Sequence, residues 1–166
     1  MDHRPSGSTR NYQLFANEME MHRNTLSDYL CALSDVHLLE QVPGYRPGLD
    51  KRETDKERVF VADPAFVAAM LPTDANALMR NTDAFSALLE TFVATEVIRL
   101  LTWSSVSAKL FHWRDSNTNE VDLVLERRDG SLIGIEVKAA RVAKADHLAG
   151  LRELYKRYPS RFSGAL

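Results

Sequence analysis

Residues 119–140 read NEVDLVLERRDGSLIGIEVKAA, and their alternation decides the fold of the second half of the chain. In the first arm Val121, Leu123 and Leu125 fall on one side, and Glu120, Asp122 and Val124 on the other. In the second arm Ile133, Ile135 and Val137 share a face, and Gly134, Glu136 and Lys138 share the opposite one. Arg128-Asp129-Gly130 suits a three-residue loop, a type I turn whose last position needs positive φ and receives the glycine. That loop sets Asp122 opposite Glu136 and Glu120 opposite Lys138. A two-residue Asp-Gly turn would set Asp122 opposite Val137 and mix charge into the apolar row. The expected hairpin therefore has one face made only of Val, Leu and Ile, and another carrying Glu120, Asp122, Glu136 and Lys138.

Three carboxylates beside one ammonium repel one another unless a cation joins them, since like charges about 4 to 6 Å apart raise each other's pKa. Mg²⁺ is the expected ion, with Mn²⁺ as a substitute. It is usually held by one or two carboxylates, with water and substrate phosphate completing its shell. Lys138 would then orient or deprotonate the attacking water, or offset charge on the phosphate. An acid, a gap and then Glu-x-Lys resembles the signature of the PD-(D/E)XK nuclease-like fold. By itself Glu-x-Lys also fits a solvated hairpin face with cross-strand ion pairs.

Working outward from the hairpin, residues 84–102 predict the longest helix, capped by Asp83 or Thr82. Its polar side is narrow, with Thr91, Thr95, Arg99 and Thr102 within about 80° of one another at 100° per residue. Glu90 lies off that side, in line with Val93, Ala94, Val97 and Leu101, so its carboxylate points inward and needs a partner. The hairpin's charged face is one candidate; an arginine such as Arg114 is the other. Leu110 to Trp113 reads as a strand. Lys144 to Tyr158 reads as an amphipathic helix with Leu148, Leu151, Leu154, Tyr155 and Tyr158 inward, expected to cover the apolar face of the hairpin and stopped by Pro159. Phe162 to Leu166 looks like the start of a further strand.

Upstream, the order is helix (12–21), helix with Leu26, Tyr29, Leu30 and Leu33 as a core stripe, strand (38–42), charged loop (50–58) and strand (58–62). That is the order of a winged helix, in which the second helix would enter a major groove and the loop would be the wing. Asp63-Pro64 opens a short helix to Leu71. The expected division is a disordered lead over 1–10, a winged helix over 11–72, a linker over 73–82 and a nuclease-like domain over 83–166. The fold class is α/β (α+β), a mixed sheet flanked by helices.

Composition narrows the functions. The 166 residues are 45% hydrophobic, ordinary for a globular chain. No apolar run suits a membrane span and MDHRPSGSTR is no signal peptide, so a soluble cytoplasmic protein is expected. The one cysteine, Cys31, makes no internal disulfide, and the five histidines lack ligand spacing, so zinc is not expected. Net charge is −2. From Lys138 onward seven Lys or Arg stand against two acids, whereas residues 59–137 hold six against eleven. A basic stretch beside an acidic cluster suits a phosphate backbone approaching a metal, and equally a solvated helix face.

Taken together, TLSDYLCALSDVHLLEQVPGY, VFVAD, LLETFVATEV, HWRDSNTNEVDLVLE and IGIEVKAA resemble the C-terminal region of the AAA-type ATP-binding proteins of bacteria and archaea, a domain of unknown function. The likeness covers about residues 12–166. It implies a winged helix followed by a restriction-endonuclease-like domain in the order helix, three strands, helix, strand. It also implies site positions at Glu90, Asp122, and Glu136 with Lys138: Asp122 and Glu136 hold the metal, Glu90 supports it and Lys138 assists the water. DNA is the implied partner, together with an ATPase carried elsewhere, because no G-x-x-x-x-G-K-[ST] is present. The chain departs from the family at Asp63-Pro64-Ala65-Phe66, where Asp, one residue, Gly-Leu is usual, and in lacking proline before Asp122. A fragment or truncated gene product is expected, which cuts DNA with Mg²⁺, binds DNA or protein as a non-catalytic regulatory module, or has no independent activity.

Overall fold

The hairpin forms in the expected register. In a computed structural model, which describes residues 17, 19–47, 57–115, 119–140, 142 and 145–166, Leu123 pairs with Ile135 and Leu125 with Ile133. Arg127 N–H donates to the Ser131 carbonyl, Gly130 N–H donates to that of Arg127, and Gly130 takes φ of 80°. The turn is thus the three-residue loop, with glycine where a side chain would clash.

In chain order the elements are α1 (Arg23–Asp35), β1 (Leu39–Val42), β2 (Arg58–Val61), α2 (Pro64–Met70), α3 (Ala75–Arg80), α4 (Thr82–Trp103), β3 (Ala108–Arg114), β4 (Glu120–Arg127), β5 (Leu132–Ile135), a 3₁₀ turn (Ala145–Leu148), α5 (Ala149–Arg157) and β6 (Phe162–Ala165). The fold is α+β, with β1 and β2 in an antiparallel pair and a second sheet ordered β3-β4-β5-β6. Strands β3 to β5 are antiparallel, and β6 joins β5 in parallel after the α5 crossover. From α4 onward this is the order helix, three strands, helix, strand. Most of the helix expected over 12–21, the lead over 1–10 and most of the charged loop lie outside the described residues, and residues 19 and 20 form a turn. The segment expected as a linker holds α3.

A β-bulge alters the expected faces. Phe111 pairs with Val124, but Trp113 pairs with Val121, so Asp122 and Leu123 together oppose His112. Val121 thereby joins Val124 and Leu132 under Leu151 and Leu154 of α5. Leu123 and Ile135 pack instead with Ala94 of α4 and with Val42 and Phe60 of the first hairpin. Helix α5 therefore covers the face that alternation assigned to charge, and both faces of the sheet centre are apolar. The sheet is a middle layer, with Glu120 and Asp122 at one end of β4 and the Glu126–Arg161 ion pair at the other.

Helix α4 corrects a second expectation. Thr91 and Thr95, expected on its polar side, are 0% and 2% exposed. Each hydroxyl donates to a carbonyl of its own helix, Ala87 at 2.9 Å and Phe92 at 3.1 Å, so burial leaves no donor unpaired. Phe92, Leu100 and Trp103 lie outward instead. The cap is Asn81, accepting from Ala84 N–H, rather than Asp83 or Thr82. In α1 only half of the expected stripe is inside: Leu26 and Leu30 are buried, Tyr29 and Leu33 exposed. In α5 Leu151 and Leu154 are buried, while Tyr155, and Leu148 of the preceding 3₁₀ turn, are exposed.

The first hairpin is attached to the main sheet through backbone as well as side chains. Beyond β1, His112 N–H donates to Pro43 and Tyr45 N–H to His112, which sets Gly44 beside β3 in parallel. This fixes β2, and with it Arg58, against the end of β4.

Candidate functional site

Strand β2 opens with Arg58, whose side chain is 5% exposed and enters the charged end of the sheet. Its Nη1 lies 2.6 Å from Glu90 Oε1 and 3.3 Å from Asp122 Oδ1, and its Nη2 lies 3.5 Å from Glu120 Oε2. Nη1 also approaches the Asp122 carbonyl at 3.4 Å. The guanidinium therefore joins three carboxylates, two from the hairpin and one from α4. An arginine suits this position because its planar fork serves several acceptors at once.

Lys138 occupies the other side. Its Nζ is 2.5 Å from Glu136 Oε1 and 4.0 Å from Asp122 Oδ2. That same Oδ2 accepts from Val137 N–H at 2.8 Å. Because the pairing with β4 ends at Ile135, a carboxylate of β4 takes over the bond that Val137 N–H would have made to that strand, while Glu136 N–H still donates to the Leu166 carbonyl. Lys138 thus pairs with its own neighbour instead of Glu120 across the strand. Glu120 turns to Arg58, with Arg114 farther off at 3.9 Å.

All four residues singled out from the sequence, Glu90, Asp122, Glu136 and Lys138, belong to one network. Arg58 is the member that sequence reasoning missed. Arg114, the arginine considered for Glu90, instead approaches Glu120. The available signal was a charged residue at the head of an apolar strand, RVFV, which reads as a strand terminus until a buried acid elsewhere requires a partner.

Burial pushes the Glu90 carboxyl up to about 7 despite the opposing pull of Arg58, and the Asp122 and Glu120 charges add to the rise. Burial, with the Asp122 charge beside it, also raises Glu136. For Lys138 burial acts downward, but the Glu136 hydrogen bond and the surrounding carboxylates outweigh it and hold the ammonium above its ordinary value. Glu136 Oε2 is enclosed and has no hydrogen-bond partner among the described residues.

Mg²⁺ needs oxygens at about 2.1 Å in an octahedron. The space between Glu90 and Asp122 is filled by the guanidinium, and Asp122 commits its oxygens to Arg58 and to Val137 N–H. Among the described residues no three His, Cys, Asp or Glu side chains are grouped to hold a metal. As arranged, these residues do not fit the ion; a protein cation stands where a divalent one was expected.

Residues 85–166 match the family described as a domain of unknown function, DUF4143. Residues 3–77 match a second domain of unknown function, DUF8612. The clamp thus crosses between them: Arg58 lies in the DUF8612 segment, and Glu90, Glu120 and Asp122 lie in the DUF4143 segment. Two mycobacterial relatives, Uncharacterized protein Mb2031c of Mycobacterium bovis and Uncharacterized protein Rv2008c of Mycobacterium tuberculosis, are each 24% identical over 123 residues, 74% of this chain. The chain spans 27% of the length of each. No solved structure matches it. Among the described residues no helix is long and apolar enough to cross a membrane.

Proposed function

We propose that this chain is a nucleic-acid-binding, non-catalytic module of a longer AAA-type ATP-binding protein, built on a nuclease-like core whose acidic centre is closed by Arg58. The observation that carries the reading is the Arg58 guanidinium, 2.6 Å from Glu90 and 3.3 Å from Asp122, between two of the carboxylates expected to share the ion. Support for the nuclease-like core comes from the order of elements from α4 to β6 and from the convergence of Glu90, Asp122, Glu136 and Lys138. Support for a winged-helix partner comes from α1 followed by the β1–β2 pair. The relatives' greater length leaves room for the ATPase half that the resemblance implies, in a cytoplasmic protein.

A buried ion-pair network holds charge without moving it. Arg58 and Lys138 neutralise the carboxylates, and the two segments of the chain are joined at that point. The role of the core is then to position surfaces rather than to cut.

The test is binding and cleavage of duplex, single-stranded and branched DNA by purified protein at low salt, with Mg²⁺ or Mn²⁺ and with EDTA. Expected is salt-dependent retention of DNA without cutting, unchanged in Lys138→Ala. Metal-dependent cutting lost in Lys138→Ala would instead establish the Mg²⁺ phosphodiesterase, with Asp122 and Glu136 as ligands. Absence of any binding would overturn both readings.

A further inference from the structure

Helix α4 turns its bulk outward. Its fully buried residues are small, Ala87, Thr91, Ala94 and Thr95, whereas Phe92, Leu100 and Trp103 are 49%, 54% and 72% exposed. Single exposed apolar side chains are ordinary, but these belong to a row. Phe85, Leu89, Phe92, Glu96, Arg99 and Trp103 recur at alternating steps of four and three, the a and d positions of a heptad seam. They lie within about 80° of one another at 100° per residue, on the side of the helix away from Thr91 and Ala94. From Phe92 to Trp103 the seam is open to solvent.

The two charges in the seam decide what can cover it. Glu96 and Arg99 form an ion pair, and Arg99 Nη2 also donates to the Ala62 carbonyl at 2.9 Å. A bilayer would bury both charges in hydrocarbon with no new partner. A second copy of α4 running the opposite way meets them with complementary charge. A two-fold axis between Val97 and Ile98 sets Glu96 across from Arg99 of the second copy, and Arg99 across from its Glu96. The same axis sets Phe92 across from Trp103 of the second copy, so that an aromatic layer closes each side of the charged centre. Every layer then joins an a position to a d position. In a parallel pair Glu96 would face Glu96 and Arg99 would face Arg99, which is repulsive. One antiparallel register therefore matches charge and bulk together.

We propose that the outward face of α4 is a dimer interface, in which two copies of this chain pack their α4 helices antiparallel about an axis between Val97 and Ile98. Phe92 and Trp103 supply the buried area, and the Glu96–Arg99 layer sets the register at some cost in stability, as polar seam residues do. The layers from Phe92 to Trp103 span about 16 Å of helix, so the contact is small and the association is reversible. The interface lies apart from the Arg58 clamp and goes beyond the nucleic-acid reading, whose failure would leave it untouched.

The experiment is sedimentation velocity of the full chain from about 1 to 200 µM, with tryptophan emission followed over the same dilution series. Variants are Glu96→Arg, Arg99→Glu, Trp103→Gln and, on the exposed side of α1, Tyr29→Gln, each with a melting curve to show that it folds. Expected is a monomer–dimer equilibrium for the wild type, with emission moving to the red on dilution as Trp103 returns to water. Glu96→Arg and Trp103→Gln should each weaken the dimer by roughly tenfold or more, and Tyr29→Gln should leave it unchanged. An equimolar mixture of Glu96→Arg and Arg99→Glu should recover the dimer, because each chain then carries the charge the other needs. Should Arg99→Glu fail to fold without its Ala62 bond, Glu96→Arg and Trp103→Gln decide the matter alone. A wild type that stays monomeric throughout overturns the proposal and assigns the face to another segment of the longer protein or to a different partner. A dimer indifferent to Glu96→Arg and Trp103→Gln, or weakened equally by Tyr29→Gln, overturns it as well, since the contact would then lie elsewhere.

Discussion

Arg58 and Glu90, separated by 32 positions in sequence, meet at 2.6 Å and tie the first hairpin to the longest helix. The pair is mostly buried, and two further carboxylates lean on the same guanidinium. Removing the cation would leave Glu90, Asp122 and Glu120 facing one another, with Lys138 4.0 Å from Asp122 and Arg114 3.9 Å from Glu120. Arg58→Met is therefore expected to cost about 3–5 kcal/mol, the usual range for stranding buried charge. The Arg58→Met/Glu90→Gln double variant should recover part of that loss, because the two changes act on one interaction. Urea midpoints of the three variants measure this, and strictly additive effects would show that the clamp is not a unit.

The same carboxylate sets a pH dependence. In the folded chain Glu90 titrates near 7, against an ordinary 4.5. Between those values the folded state keeps a proton that the unfolded chain has released, so the stabilisation linked to Glu90 is full below about pH 4.5. It declines as pH rises and is gone above about 7. Two and a half pKa units correspond to at most about 3 kcal/mol. Glu136 is raised in the same direction and adds to the decline. Melting temperatures of wild type and Glu90→Gln from pH 4 to 8 should converge or cross toward neutral pH, with the variant showing the flatter curve. Parallel curves would mean that Glu90 is ionised throughout.

How much of this was legible in the sequence follows from the range of each signal. Hairpin register was legible because Arg128-Asp129-Gly130 fixes it locally and a one-residue slip would invert every side chain. The faces were not, because the bulge at Asp122 and Leu123 depends on what lies across from them on β3. Glu90 could be read as inward-facing from its helical position, whereas its partner could not, since Arg58 reaches it through the packing of a separate hairpin. Thr91 and Thr95 misled for a chemical reason: a threonine in a helix can satisfy its own hydroxyl and then counts as an apolar residue.

Close approach of α5 to the sheet gives a sharper mutational contrast. A Cβ at Gly150 would fall on the Glu120 carbonyl oxygen, a backbone atom that cannot rotate away, whereas one at Gly164 would meet nothing within 4 Å. Gly150→Ala should push α5 off β4 and lower stability by roughly 1–3 kcal/mol or more, as overpacking does. Gly164→Ala should change it little. Thermal melts of the two alanine variants decide the matter, and equal stability would contradict the docking of α5 described above.

The first hairpin and the main sheet share a core, and that has a thermodynamic consequence. Phe60 of β2 is 0% exposed and packs in one cluster with Ala94 of α4, Leu123 of β4 and Ile135 of β5. Residues from both family-matched segments are thus buried against each other. Unfolding the hairpin alone would expose that face of α4 and the sheet, and would leave the carboxylates around Arg58 unpaired as well. Phe60→Ala is therefore expected to cost about 3–5 kcal/mol. The whole chain should melt in one transition, with far-ultraviolet dichroism and tryptophan fluorescence coinciding. Two separated transitions, with only the earlier one shifted by Phe60→Ala, would show that the segments fold independently and that the Arg58 clamp is a contact between domains rather than part of one core.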